Sequence, residues 1–247
     1  MYINDINIIA YVIVALLGAV AGQICDLLNF ILPKHKKILS IENTKKYLKS
    51  TKPKYLLMVI HIIIYLGILY RYGINDVNTI KYMILTPMII SAFYIDYKMQ
   101  IIPNRLTLTM FEFGLIFTAL GVITNINTGI NVFINNILGM LVGAGIFLLI
   151  TLIGGLIAGK EAMGFGDVKL MGALGLYFGW VYIIMISVMA FLFAAIVSIG
   201  ILIFKRKKVD EYIPFGPFIV TSSIICIYVP FYILFTTLLK VFSLGMI

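Results

Sequence analysis

The sequence predicts an all-α fold, a polytopic membrane bundle of about eight spanning helices. Three observations carry that expectation. Of 247 residues, 62% are hydrophobic and only 12% are charged; the mean hydropathy is +1.09; and apolar runs near bilayer length recur from one end of the chain to the other. Such a chain lies mostly in lipid rather than around a soluble core. The net charge of +9 does not point to nucleic acid, because no segment is long and polar enough to present a folded basic face.

The runs cover 6–31, 55–70, 80–97, 106–124, 130–158, 168–178, 181–204 and 215–242. In the first, the basic flank follows the apolar stretch instead of preceding it, so a retained helix is expected despite the cleavage-like Ala19-Val20-Ala21. The second carries His61 in mid-segment, read as a packed polar side chain. The third ends at Asp96. Glu112 lies about two turns into the fourth and is expected to face the bundle interior, because a lipid-exposed carboxylate is expensive. Gly139-x-x-x-Gly143 in the fifth and Gly175-x-x-x-Gly179 read as close helix contacts. The sixth run is too short to span alone, and Gly179-Trp180 is either a tight turn or a kink. Pro214-Phe215-Gly216-Pro217 sets the start of the last helix. Residues 1–247 form one membrane domain, with 33–54 a short lysine-rich loop.

Lys and Arg gather in short cytoplasmic loops. With eight spans, all 19 basic residues except Arg71, Lys81 and Lys240 fall on one side. That side is the cytoplasm, and both termini point away from it. Merging the sixth and seventh runs would move Lys205, Arg206, Lys207 and Lys208 outside. The lysines of 34–54 orient the protein and meet anionic lipid headgroups, at about 1 kcal/mol per residue near the surface. Glu42, Glu161, Asp210 and Glu211 are the better candidates for meeting a basic ligand. Cys25 and Cys226 lie inside apolar runs with no His or second Cys at ligand spacing, so neither a disulfide framework nor a metal site is expected.

On this topology Asp96 ends the third run and Asp167 starts the sixth, both at the cytoplasmic boundary. Taken singly, Asp167 behind Gly164 and Gly166 could be a capping acid at a flexible helix start, and Asp96 beside Lys98 an interfacial anchor. Taken together, two carboxyls within reach of one water divide the work of general acid and base. The glycines remove side chains beside Asp167, so that substrate or backbone can approach and unusual dihedrals are cheap. A competing reading is a small proton- or cation-coupled transporter using intramembrane carboxylates, or a noncatalytic scaffold. Both acids stand at one surface rather than the midplane, and there is no duplicated half.

Several stretches together resemble the bacterial type IV prepilin peptidases, membrane aspartyl proteases of the GxGD type. They are Asp96 with Pro103-Asn104; Gly164-Phe165-Gly166-Asp167-Val168-Lys169-Leu170; Ile213-Pro214-Phe215-Gly216-Pro217-Phe218; and Gly22-Gln23-Ile24-Cys25-Asp26 with Pro33. The resemblance implies hydrolysis of the bond after the short basic leader of a prepilin or pseudopilin, at the cytoplasmic face of the inner membrane. It makes Asp96 and Asp167 the catalytic pair. Gly164, Gly166, Lys98, Pro103, Asn104, Lys169, Glu112, Pro214 and Gly216 are then the candidates for shaping the site.

The chain departs from the family's pattern twice. Asp26 stands where the first-helix motif usually has Asn, adding a third acid near the cytoplasmic face. The first loop lacks the two CxxC pairs that many members carry in a region associated with N-methylation. The resemblance therefore implies no cofactor for proteolysis and no structural zinc, and S-adenosylmethionine only if methylation is retained.

Overall fold

The structure, a computed structural model, describes residues 2–3, 6–34, 47, 54–124, 128–158, 163–204 and 213–243. Two short strands, β1 (Tyr2–Ile3) and β2 (Ile6–Asn7), pair antiparallel before the first helix. The helices are α1 (Ile8–Ile31), α2 (Tyr55–Tyr72), α3 (Val77–Met99), α4 (Asn104–Thr124), α5 (Gly129–Ala158), α6 (Phe165–Ile203), α7 (Gly216–Tyr228) and α8 (Phe231–Phe242). By length and composition five of them can cross a membrane, or six if the bent pair α7–α8 is counted as one span. The chain is thus an all-α, multi-pass membrane protein. Glu42, Lys160, Glu161, the 205–208 cluster, Asp210 and Glu211 lie outside the described residues.

Helix α6 has 39 residues, a length of about 58 Å, nearly twice a hydrocarbon core. It does not run straight. Gly179 has φ 74 and ψ 173, and Gly143 of α5 lies against both Met171 and Ile183. On a straight helix those two positions would stand about 18 Å apart. Phe147 of α5 also packs on Phe191, with ring centroids 5.6 Å apart. The chain therefore reverses at Gly179, and both limbs of α6 lie along α5. The backbones touch closely where Gly139 faces Gly175, the close approach that small residues permit between membrane helices.

The last apolar run differs from expectation. It is two helices, α7 and α8, bent by 119°, rather than one continuous helix. Pro230 removes a backbone donor, and the preceding Val229 is extended at φ −99 and ψ 124, as a residue before proline prefers. The Phe231 amide released by the break donates to the Tyr182 hydroxyl at 3.1 Å.

Other breaks are closed in the same manner, since lipid offers no water to loose backbone groups. Pro87 inside α3 leaves the Met83 carbonyl without its helical donor, and the Tyr65 hydroxyl of α2 donates to that oxygen at 2.5 Å. Lys81 of α3 donates to the Tyr177 carbonyl at 3.0 Å, placing a cation at the end of the first α6 limb, where the helix dipole is negative. Tyr72 donates to the Ile227 carbonyl at 2.7 Å and Tyr228 to the Ile64 carbonyl at 2.6 Å, which ties α2 to α7. The carbonyl freed by Pro87 yields a test. Tyr65→Phe is expected to lower unfolding free energy by about 0.6–1.7 kcal/mol, the range for hydrogen bonds between membrane helices, read by denaturant titration in bicelles. Tyr55→Phe, at a position 71% exposed, is the control expected to leave stability unchanged.

Candidate active site

Six helix ends meet at one end of the bundle: the last turns of α1 and α3 and the first turns of α2, α4, α6 and α7. Asp96 sits in the last turn of α3 and Asp167 in the first turn of α6. Both are buried, at 4% and 3% exposure. Although far apart in sequence, they stand within electrostatic reach of each other.

Local chemistry sets each position. Helix α3 stops because Gln100 adopts the left-handed conformation, φ 56, and its amide caps the Asp96 carbonyl at 2.8 Å. The chain then turns through Pro103, whose carbonyl accepts from the Leu106 amide at 3.0 Å and starts α4. Gly164 precedes α6 in an extended conformation, φ −67 and ψ 137, and its carbonyl accepts the Asp167 amide at 3.0 Å. Neither Gly164 nor Gly166 uses dihedral freedom. Gly166 matters for closeness instead, since a Cβ there would lie 3.0 Å from the Ile102 side chain. That contact brings the turn after Asp96 against the turn that carries Asp167.

A second tie joins the same two elements. Lys169 donates to Asn104 Oδ1 at 2.8 Å, so the first turn of α6 is pinned to the first turn of α4. The Lys169 ammonium is thereby committed to Asn104, and Lys98 donates to the Tyr94 hydroxyl at 2.6 Å. Lys98 thus turns to the outer side of α3.

The Gly216 amide donates to Asp96 Oδ2 at 2.8 Å in a buried contact. This hydrogen bond places the N-terminus of α7, with its positive dipole end, on the carboxyl of α3. A Cβ at position 216 would come 2.7 Å from the same oxygen, so only glycine fits. The preceding Pro214 is half-buried at the start of this segment. Asp167 differs: its Oδ1 is buried with no hydrogen-bond partner among the described residues. One acid of the pair is anchored, and the other has an unengaged oxygen.

Glu112 does not join the site, contrary to expectation. The packed face of α4 is Leu106, Thr107, Met110, Gly114, Phe117 and Thr118, and helical spacing puts Glu112 on the opposite, exposed side. Asp26, by contrast, is at the same end of the bundle and buried, paired with Lys54 at 2.6 Å. Lys54, outside the spans, is held above the ordinary lysine value: burial acts to lower it, and hydrogen bonds to Asp26 and Tyr94 outweigh that. Among the described residues no group of three or more His, Cys, Asp or Glu could hold a metal ion.

Beside Asp167 a groove of about 790 Å³ opens between α4, α5 and α6. Asn104, Thr107 and Lys169 give it a polar lip, and Leu108, Phe111, Leu141 and Leu148 form apolar walls over Ala144, Gly145, Gly172 and Ala173. From Asn104 to Phe111 it reaches about 10 Å along α4. No single signal in the sequence marks it, because its residues come from three separate apolar runs.

Residues 83–199 match a family model described as the type IV leader peptidase family. The matched stretch holds both acids, Pro103-Asn104 and the Gly164-to-Lys169 motif. Curated relatives include prepilin leader peptidase/N-methyltransferases. That of Aeromonas hydrophila is 29% identical over 146 residues, 59% of this chain and 48% of the relative. That of Legionella pneumophila is 30% identical over 141 residues, covering 57% and 47%, and that of Neisseria gonorrhoeae 30% over 154 residues, covering 62% and 50%. The chain spans about half the length of these relatives. No solved structure matches it. Residues 83–199, which carry both buried acids and the turns that position them, are thus the part of the chain that is similar to the type IV leader peptidase family.

Proposed function

We propose that the protein is a membrane aspartyl endopeptidase that removes the short basic leader of type IV prepilins or pseudopilins at the cytoplasmic face of the inner membrane. The observation that carries this is the Asp96–Asp167 pair: two carboxyls from distant segments, both buried and within electrostatic reach at one end of the bundle. Two buried acids within electrostatic reach of each other share a proton more readily than they ionise twice. Asp96, already accepting the Gly216 amide, is the carboxylate that takes a proton from water. Asp167, whose Oδ1 lacks a donor, holds the shared proton and gives it to the peptide carbonyl oxygen as the water oxygen attacks the carbonyl carbon. The tetrahedral intermediate then collapses with transfer of a proton to the departing amine, the division of labour of paired carboxylic acids.

The groove beside Asp167 suits the other half of such a substrate. Its apolar walls and its floor of small residues fit an apolar helix entering from lipid, with the bond before that helix held at the polar lip. Lys54, Lys98, Arg105 and Lys169 cluster at the end of the bundle that carries the acids, which on the positive-inside rule faces the cytoplasm. Methyl transfer to the new amino terminus would need S-adenosylmethionine, and no described residue is assigned to it.

Incubating the membrane-inserted protein with a prepilin and reading the new N-terminus by mass spectrometry tests the proposal, and reports an added methyl group as well. Asp96→Asn and Asp167→Asn are each expected to insert normally and to cut about 10²–10⁴-fold more slowly; normal cleavage by either variant would overturn the mechanism. Gly216→Ala, which drives a methyl group into the Asp96 carboxyl, is expected to lower kcat about 10²-fold. Gly145→Ala, where a Cβ meets nothing within 4 Å, is expected to have no effect on stability.

A further inference from the structure

The last turn of α3 is held from two sides. Gly216 grips Asp96 from within the bundle. On the outer side, Tyr94, two residues before Asp96, accepts hydrogen bonds from Lys98 at 2.6 Å and from Lys54 at 3.4 Å. Both ammonium groups also lie over the Tyr94 ring, at 4.5 and 4.9 Å from its centroid. Lys54 precedes α2, and its ammonium is fixed from behind by Asp26 Oδ1 of α1 at 2.6 Å. Asp26 is 2% exposed, and its second oxygen accepts from the Tyr47 hydroxyl at 2.7 Å. Cys25, next to Asp26, contacts Ser91, one turn before Tyr94, at 3.3 Å, again joining α1 to α3.

A buried carboxylate needs a cation, so Asp26 sets where Lys54 stands more firmly than two exposed partners could. The α3 end needs such support, because Gln100 terminates the helix directly beyond it and free helix ends fray. Asp26 and Lys54 both lie outside residues 83–199, the stretch that matches the family model.

We propose that Asp26, Lys54 and Tyr94 form a relay of positioning residues through which the α1–α2 hairpin fixes the helix end that carries Asp96. The relay touches neither reacting atoms nor the groove, so it acts on turnover and leaves substrate binding alone. This rests on the peptidase reading for its kinetic arm only.

The test compares Lys54→Met, Tyr94→Phe and the double variant in the full chain. With a prepilin substrate, each single variant is expected to lower kcat about tenfold with KM within twofold, and the double variant to be no slower than the slower single, because both break one relay. Backbone hydrogen exchange, read by mass spectrometry without substrate, is expected to quicken several-fold at residues 95–99 in all three, and to stay unchanged at 140–148. Unchanged exchange at 95–99, or single-variant losses that multiply, would overturn the relay. If the unaltered protein cuts no prepilin, the peptidase reading fails, and the exchange arm still decides whether the relay exists.

Discussion

Inside hydrocarbon no water is available to a backbone group that loses its helical partner, and each interruption of a helix must be closed by the protein itself. This constraint governs how the bundle can place a reactive group. The chain breaks its helices at Pro87, Gly179 and Pro230, and at or beside each break a side chain from another helix supplies the bond: Tyr65 to Met83, Lys81 to Tyr177, Tyr182 to Phe231. The tyrosines that do this come from α2 and α6, and each bond also fastens two helices. Closure of breaks and assembly of the bundle are therefore one set of contacts.

The acids exploit the same feature in reverse. Asp96 and Asp167 sit where helices end or begin, so the backbone near them has free donors and acceptors. One of those donors, the Gly216 amide, is spent on the Asp96 carboxyl. Two further contacts, Gly166 against Ile102 and Lys169 on Asn104, hold the turns together. The geometry is built by neighbours of the acids, while the acids stay available.

Much of this was legible in the sequence. Composition and run length gave the membrane class, and acids at the edges of apolar runs marked both members of the pair. Gly139-x-x-x-Gly143 and Gly175-x-x-x-Gly179 were each marked as close-contact motifs by spacing, though not as partners of one another. What was not legible depends on direction. The orientation of Glu112 follows from which face of α4 is packed, and a uniformly apolar helix carries no stripe to reveal it. The bend at Pro230 lay inside a run whose hydropathy alone suggested one span. Gly216 was noted for its place before a helix; that its amide reaches across to Asp96 depends on the tilt of α7. The Asp26–Lys54 pair joins residues on either side of a loop, and such a partner cannot be read from linear order.

The groove beside Asp167 faces outward through Leu108 and Leu141, 57% and 56% exposed, and in a membrane outward means toward lipid. Whatever enters it comes sideways along the bilayer. On the proposed function, the substrate's encounter with the acids is then a search in two dimensions, set by the number of molecules per area of membrane. Diluting the cell's contents leaves that rate alone, whereas adding lipid slows it. A dissociation constant for this groove is properly a mole fraction in lipid, not a molarity in water.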